Sequence, residues 1–460
     1  FQLVRDYKGS HSGEHGDGIS RSEFNEIMFG KKMAFLFKQV KKMLDPQSIF
    51  NPGKITDAPK MDDRSLFRFA PGYKIDDFPT RLNWNAWPGA AGGLQGAVEM
   101  CNNNGACRKL EGGVMCPSFR ATHDERDSTR GRANSLRLAL SGQLGPDARA
   151  RDAMAETVKL CVSCKACKRE CPTGVDMARM KVEVTALRTE AKGLSFHDWL
   201  VAHLPRYAPY MAAMAPVIRL RDIVPGAAWL SEKLTGFTAR RPLPRWQRRW
   251  FRDNELPQTP NKGAKSTSEK PPLLLFIDSF NRYFEPENLR AAIRVFQATG
   301  YDVFVPSPPD NGRPLCCGRT YLSTGLIDRA QDEAGRLATT LAPFARAGIP
   351  IVGLEPSCTL ALRDEIPALL NNQDAKDVAS ATFTFEELLA RDKPSLSFRS
   401  NKSKALLHGH CHQKAFDAVQ PIEEVLSWID GLEVETIETS CCGMAGAFGY
   451  GADNFDISMK

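Results

Sequence analysis

The sequence predicts a multidomain chain of α+β and α/β type: an opening α+β piece, a helical cysteine-bearing domain and a duplicated α/β domain. Three observations predict it. Seven of the thirteen cysteines lie between Cys101 and Cys171, and the last four of these are separated by only two or three residues. Beyond residue 272, short apolar runs alternate with amphipathic helical stretches, the pattern that builds parallel sheets. The triplet Cys-Cys-Gly also occurs twice, at Cys316-Cys317-Gly318 and Cys441-Cys442-Gly443, in corresponding places of that alternation. Such self-similarity marks an internal duplication.

A chain of 460 residues has room for roughly three or four domains. Its composition is that of an ordinary globular protein. Thirteen cysteines are too sparse for a disulfide scaffold, but clustered as they are they indicate metal or redox chemistry. The net charge of +7 is modest and interspersed, with no aromatic-rich RNA motif or basic arm, so no nucleic-acid partner is expected. No apolar run reaches the ~18–20 residues needed to span a bilayer, and no signal peptide is visible. The chain opens at Phe1 and ends at Lys460 within a helical pattern, so it reads as a piece of a longer polypeptide.

Residues 1–56 read as a strand over 1–4, a glycine-rich loop and a helix over about 23–44. Asp45-Pro46 closes the helix, and Asn51-Pro52-Gly53 turns the chain beyond it. Residues 57–95 are rich in Pro, Gly and Asp and read as a linker that wraps a neighbour. Residues 96–192 hold the first seven cysteines, with helical stretches near 131–142 and 150–160. Residues 193–252 form a helical connector, interrupted by Pro205, Pro209, Pro216 and Pro225. It carries Trp199, Trp229, Trp246 and Trp250, then Arg240, Arg241, Arg245, Arg248 and Arg249. Such helices lie in a membrane interface or pack around a domain, and the short apolar faces left by the prolines favour packing. Residues 253–272 have the composition of a flexible linker. Residues 273–460 then run strand 273–277, helix 287–298 and strand 301–305, and later strand 404–408, helix 422–429 and strand 432–437. Each unit reaches its Cys-Cys-Gly, and the second half is cut short.

Cys161-x2-Cys164-x2-Cys167-x3-Cys171-Pro172 has, in every gap, the spacing of the bacterial run that holds a [4Fe–4S] cluster. Thiolates are soft ligands suited to iron and sulfide. Structural zinc sites instead separate two Cys-x2-Cys pairs by a dozen or more residues. The partner motif is irregular: Cys101-Asn-Asn-Asn104-Gly-Ala-Cys107, then an insertion before Cys116-Pro117. Asn104 stands where a second cysteine would be. The arrangement resembles two-cluster ferredoxins, whose ligands cross over. That resemblance implies one complete site of Cys116, Cys161, Cys164 and Cys167, and an incomplete one of Cys101, Cys107 and Cys171. The second would hold a [3Fe–4S] cluster, or a [4Fe–4S] cluster whose fourth iron takes Asn104, water or a distant cysteine. The alternative is that Cys101 and Cys107 are merely buried.

Ser12-Gly13-Glu14-His15-Gly16-Asp17-Gly18 sets a carboxylate beside an imidazole in a glycine loop. Glycines allow close backbone approach to a ligand, and such a pair can divide metal binding and proton transfer. With Leu44-Asp45-Pro46 and Phe50-Asn51-Pro52-Gly53-Lys54, the loop resembles the end of the C-terminal domain of FAD-linked oxidases. That family has the vanillyl-alcohol-oxidase type of flavin fold and includes D-lactate and D-2-hydroxyglutarate dehydrogenases. The resemblance implies that Glu14 helps bind a divalent metal, such as zinc or manganese, that holds the 2-hydroxy acid. It implies that His15 removes the hydroxyl proton as hydride leaves C2 for the flavin. Two further metal-binding histidines and the FAD-binding domain would lie before Phe1.

Asp278 precedes Cys316-Cys317-Gly318 and Glu355-Pro-Ser-Cys358, and Cys411 precedes Cys441-Cys442-Gly443. Vicinal cysteines ligate a cluster, form a redox disulfide or simply pack. His408, His410 and His412 flank Cys411, as tuning groups, ligands or solvated loop residues. This part resembles the cysteine-rich domain of heterodisulfide reductase subunits and of the iron–sulfur subunits of glycolate, glycerol-3-phosphate and lactate oxidases. Their pattern is Cys…Cys-Cys…Cys-x2-Cys. The first half departs from it at Asp278 and Ala361, which argues against a special cluster there.

Taken whole, the chain resembles fused bacterial enzymes with FAD-binding and iron–sulfur domains on one polypeptide. The resemblance implies a dehydrogenase of D-2-hydroxyglutarate, or next D-lactate, passing electrons from FAD through iron–sulfur clusters to quinone or another acceptor. It implies a cytoplasmic location, or a peripheral one on the inner face of the bacterial membrane, and leaves a homo-oligomer open. The other readings are an electron-transfer subunit of glycolate-oxidase or heterodisulfide-reductase type without its own substrate site, and a zinc-binding structural protein. The Glu14-His15 loop argues against the former, and the cysteine spacing against the latter.

Overall fold

The computed structural model describes all residues except 68, 70–72, 74, 76–78, 88–91, 146–151, 258–270 and 310–311. It divides into two compact units, Phe1–Lys74 and Ile75–Lys460.

The first unit opens in a short helix, Gln2–Asp6, where the sequence suggested a strand. A strand needs a neighbour for its backbone groups, and no strand lies among the described residues of this unit. The helix satisfies its own, and Phe1 stacks on Phe24 with ring centroids 3.7 Å apart. The expected helix over 23–44 is in fact broken. A 3-10 turn, Ser22–Phe24, leads into Asn25–Phe29, and a second helix runs Lys31–Leu44. Gly30, at φ +81°, makes the break. Asp45 closes the second helix: its carboxylate pairs with Lys41 at 2.5 Å and accepts from the N–H groups of Ile49 and Phe50.

In the second unit, strands β1 (Pro272–Phe276), β2 (Asp302–Phe304), β3 (Ile351–Gly353) and β4 (Thr382–Thr384) form a parallel sheet in the order β2-β1-β3-β4. Its central strand is apolar on both sides, as a parallel sheet covered on both faces requires. Leu273 and Leu275 join the core under helices Pro286–Ala298 and Phe385–Asp392. Leu274 and Phe276 face the other way, into the core that also contains Cys101, Cys107, Cys116, Cys161 and Cys167. The sheet and the cysteine-bearing domain thus share one hydrophobic core. Strands β5 (Ser403–Leu407) and β6 (Leu432–Thr436) form a separate parallel pair, joined through helix Gln420–Ser427 as β1 and β2 are through Pro286–Ala298.

The cysteine-bearing segment is built from helices Gly93–Glu99, Thr129–Leu140, Asp152–Lys159 and Met177–Lys192. The connector differs from expectation. Helix Phe196–Ala213 runs unbroken through Pro205 and Pro209, although each interior proline costs about 3 kcal/mol. Its small residues Ala202, Ala208 and Ala212 are fully buried, the last two against Tyr283 and Phe284, and this packing outweighs the local cost. The break falls at Met214 instead, and Pro216 sits in the first turn of Ala215–Ile218, where a missing N–H is harmless. Of the expected linker over 253–272, residues 258–270 lie outside the described residues, while Asp253 pairs with Arg282 at 2.7 Å.

The turn before helix Ile327–Arg346 locks the sheet domain to helix Met177–Lys192. Gly325 has φ +82°, and a Cβ there would stand 2.6 Å from the Thr185 carbonyl oxygen. Thr189 Oγ1 donates to the Thr324 carbonyl at 2.8 Å in the same contact. Gly325→Ala is therefore expected to destabilise by roughly 1–3 kcal/mol, read as a lowered thermal midpoint. An unchanged midpoint would show that the contact is loose.

Candidate functional site

The loop Cys161–Cys167 is shaped by two residues in the left-handed region, Ser163 at φ +52° and Lys165 at φ +62°. This curls the chain so that Cys161, Cys164 and Cys167 come together before helix Ala166–Glu170 carries it away. Burial, then the neighbouring thiols, push Cys164 well up, and Cys167 is pushed up to about 12 by burial and then Asp176. Thiols held together in an apolar core cannot ionise without a compensating cation. Lys181 donates to the Cys161 carbonyl at 2.5 Å, and burial lowers its own pKa.

Cys107 and Cys116 meet at the N-terminus of helix Thr129–Leu140, whose N–H groups favour negative charge. The Thr129 N–H donates to Cys116 Sγ at 3.1 Å, and the Arg130 N–H to Cys107 Sγ at 3.4 Å. The hydrogen bond from Cys116, then the Arg130 N–H, outweigh burial and lower Cys107 to about 6, while Cys116 is raised in turn. Cys116 also feels the charge of Cys167, so it stands between the two cysteine groups. Cys101 is buried in the same core, with Sγ 3.8 Å from Asn103 Oδ1. Cys171 is half-buried, 3.4 Å from Thr173 Oγ1. Asn104 is exposed, and its oxygen already accepts from the Ala106 N–H at 2.8 Å, so it is turned to its own loop rather than to a metal.

The two Cys-Cys-Gly halves differ. In the first, Cys316, Cys317 and Cys358 are buried, with the Sγ atoms of Cys317 and Cys358 3.3 Å apart. Asp278 is buried beside them, and burial followed by Glu355 raises it to about 6. Both its oxygens are engaged: Oδ1 accepts from the N–H groups of Phe280 and Asn281, Oδ2 from the Asn281 amide. It caps helix Ser279–Tyr283. In the second half, Cys411 and Cys441 are half-buried and Cys442 is exposed. A hydrogen bond from Cys441 lowers Cys411, which also feels Cys164. His410 and His412 are not solvated loop residues. His410 accepts from the His412 N–H at 3.1 Å and lies 3.2 Å from Ser357 Oγ, and His412 is buried.

Glu14 and His15 are exposed, with His15 Nε2 3.8 Å from Glu14 Oε2. The residue the sequence reading missed is His11. Its buried ring holds Nε2 3.2 Å from Asp17 Oδ1 and 3.1 Å from Asn25 Oδ1, while the Asn25 amide donates to the Ile55 carbonyl. Nothing in the local spacing marks it, since its partners are 6 and 14 residues away.

Among the described residues, no three His, Cys, Asp or Glu side chains are arranged for a single metal ion. A four-iron cluster spreads its thiolates over separate corners. The buried, mutually repelling thiols of the Cys161 loop, with N–H donors and a lysine around them, suit that charge distribution better than a zinc ion.

The comparisons agree with this chemistry. Residues 1–55 match the C-terminal domain of FAD-linked oxidases, and residues 97–175 match a 4Fe–4S dicluster domain. The chain thus joins the end of a flavin-linked oxidase domain to a ferredoxin-type iron–sulfur domain. Its relatives include the D-2-hydroxyglutarate dehydrogenases of Pseudomonas putida, 28% identical over 99% of this chain, and of Escherichia coli, 26% identical over 99%. One subunit of the anaerobic glycerol-3-phosphate dehydrogenase of Escherichia coli is 26% identical over 58% of this chain and 65% of its own length. The chain spans about half the length of the dehydrogenases, 47% in each of those two. No solved structure matches it.

Cys116 is the discriminating residue. If it completes the site of Cys161, Cys164 and Cys167, Cys116→Ser and Cys164→Ser should change the same electron paramagnetic resonance signal, and Cys101→Ser a different one. If Cys116→Ser instead changes the signal that Cys101→Ser changes, the crossover assignment is wrong.

Proposed function

We propose that the complete protein is an FAD-dependent D-2-hydroxy acid dehydrogenase, with D-2-hydroxyglutarate before D-lactate as substrate. This chain would be mainly its electron outlet. The observation that carries the reading is one hydrophobic core enclosing the cluster-type cysteines, in a chain that opens with the Glu14-His15 loop. The two matched domains and the names of the full-coverage relatives support it.

FAD supplies a two-electron hydride acceptor and the clusters one-electron carriers. His15 Nε2 is the base for the substrate hydroxyl proton, and the Glu14 carboxylate helps hold a divalent metal against the substrate's oxygens. Cys161, Cys164, Cys167 and Cys116 hold one cluster; Cys101, Cys107 and Cys171 hold the other. Burial of Cys101, Cys107, Cys116, Cys161 and Cys167 would limit water at the iron. The final acceptor is a quinone or a comparable carrier. The connector packs one face through its buried alanines as expected, while exposed Trp199, Ile223, Trp229 and Leu234, with exposed Arg219 and Lys233, support a peripheral place on a membrane surface. No helix among the described residues is long and apolar enough to cross a membrane.

A second reading, an electron-transfer subunit without its own substrate site, draws on the similarity to the glycerol-3-phosphate dehydrogenase subunit. One assay separates them. The complete protein is given D-2-hydroxyglutarate, D-lactate or glycolate with a dye acceptor. Turnover is expected with the first, and His15→Asn should lower kcat by about 10²–10⁴-fold with the cluster absorbance unchanged. Failure to oxidise any 2-hydroxy acid would leave the second reading.

A further inference from the structure

The second Cys-Cys-Gly half packs against the ligand loop of the first cluster site, with the buried side chain of His412 at the junction. Helix Cys411–Ala415 packs on helix Ala166–Glu170. Arg169 donates to the Lys414 carbonyl and pairs with Asp417. Between these elements, His412 is 4% exposed. Its Nε2 lies 3.1 Å from the Ser163 carbonyl oxygen, and its Nδ1 lies 3.2 Å from Arg319 Nη1.

These partners fix the tautomer. A guanidinium has no acceptor, so Nδ1 must accept from Arg319, and the ring proton sits on Nε2 and is donated to Ser163. Arg319 is itself held by Glu365 at 2.7 Å, and Glu365 reaches Lys165 at 2.6 Å. The two loop residues braced in this way, Ser163 and Lys165, are the two in the left-handed region. Such conformations are unfavourable for residues with side chains and persist where the surroundings over-determine them.

We propose that His412 is a positioning residue for the cluster bound by Cys161, Cys164 and Cys167. By donating from Nε2 to the Ser163 carbonyl it holds the ligand loop in shape and helps dock the Cys411, Cys441 and Cys442 half on helix Ala166–Glu170. The first half turns inward, with Cys317 against Cys358 and Asp278 committed to its helix cap. The inference rests on the iron–sulfur reading above.

The test uses the complete protein with His412→Phe, which removes both hydrogen bonds, and His412→Gln, which keeps an N–H donor near Nε2. Iron and sulfide content, the electron paramagnetic resonance line shape and the midpoint potential of the Cys161-loop cluster are measured. His412→Phe is expected to shift the potential and line shape of that cluster and leave the other signal alone, with His412→Gln restoring the wild-type values. Loss of the cluster in His412→Phe but not in His412→Gln also supports the proposal. Wild-type potential and line shape in His412→Phe would overturn it, as would equal shifts, or equal cluster loss, in both variants. A wild-type protein without iron and sulfide would defeat the underlying reading instead, so the two failures are distinct.

Discussion

The architecture of the second unit follows from one constraint: thiols that carry redox iron must ionise inside an apolar core. Burial alone drives a thiol toward its neutral form, and neighbouring thiols reinforce that. The fold answers with backbone N–H groups at the start of helix Thr129–Leu140 and with the positive charge a cluster would bring. The loop itself is curled through Ser163 and Lys165 in conformations that need outside support. Lys165 is tied to Asp364 and Glu365, and Ser163 to His412, so parts of the chain far apart in sequence serve one short loop.

This explains why the sheet and the cysteine domain are not separable. The central strand sends alternate side chains to two cores, and one of these contains the cluster cysteines. Any movement of the first Cys-Cys-Gly half is felt through Gly325 and Thr324 by helix Met177–Lys192, which carries Lys181. The two Cys-Cys-Gly segments have different surroundings within this frame. In the first, a carboxylate stands among the thiols and is consumed as a helix cap; in the second, the thiols are more open and face the cluster loop.

What was legible in the sequence was local. The run Cys161 to Cys171 has its meaning in its gaps, and the β-α-β units show in apolar runs of fixed length, so both could be read directly. Contacts made over long separations could not. His412 meets Ser163 across 249 residues, and His11 is buried by partners that no motif announces. The expected strand at residues 1–4 had no partner to pair with, and Gly30 divided a helix whose periodicity ran straight through it. Pro205 and Pro209 misled in the opposite sense, because the buried alanines around them outweigh their local cost.

The central claim is that electrons from a 2-hydroxy acid enter these clusters. The most direct measurement is an anaerobic titration of the complete protein with D-2-hydroxyglutarate, followed by low-temperature electron paramagnetic resonance and visible absorption. The account predicts that substrate alone bleaches the iron–sulfur absorbance and develops the signal of a reduced cluster. Iron–sulfur absorbance that dithionite bleaches but no 2-hydroxy acid does would contradict it.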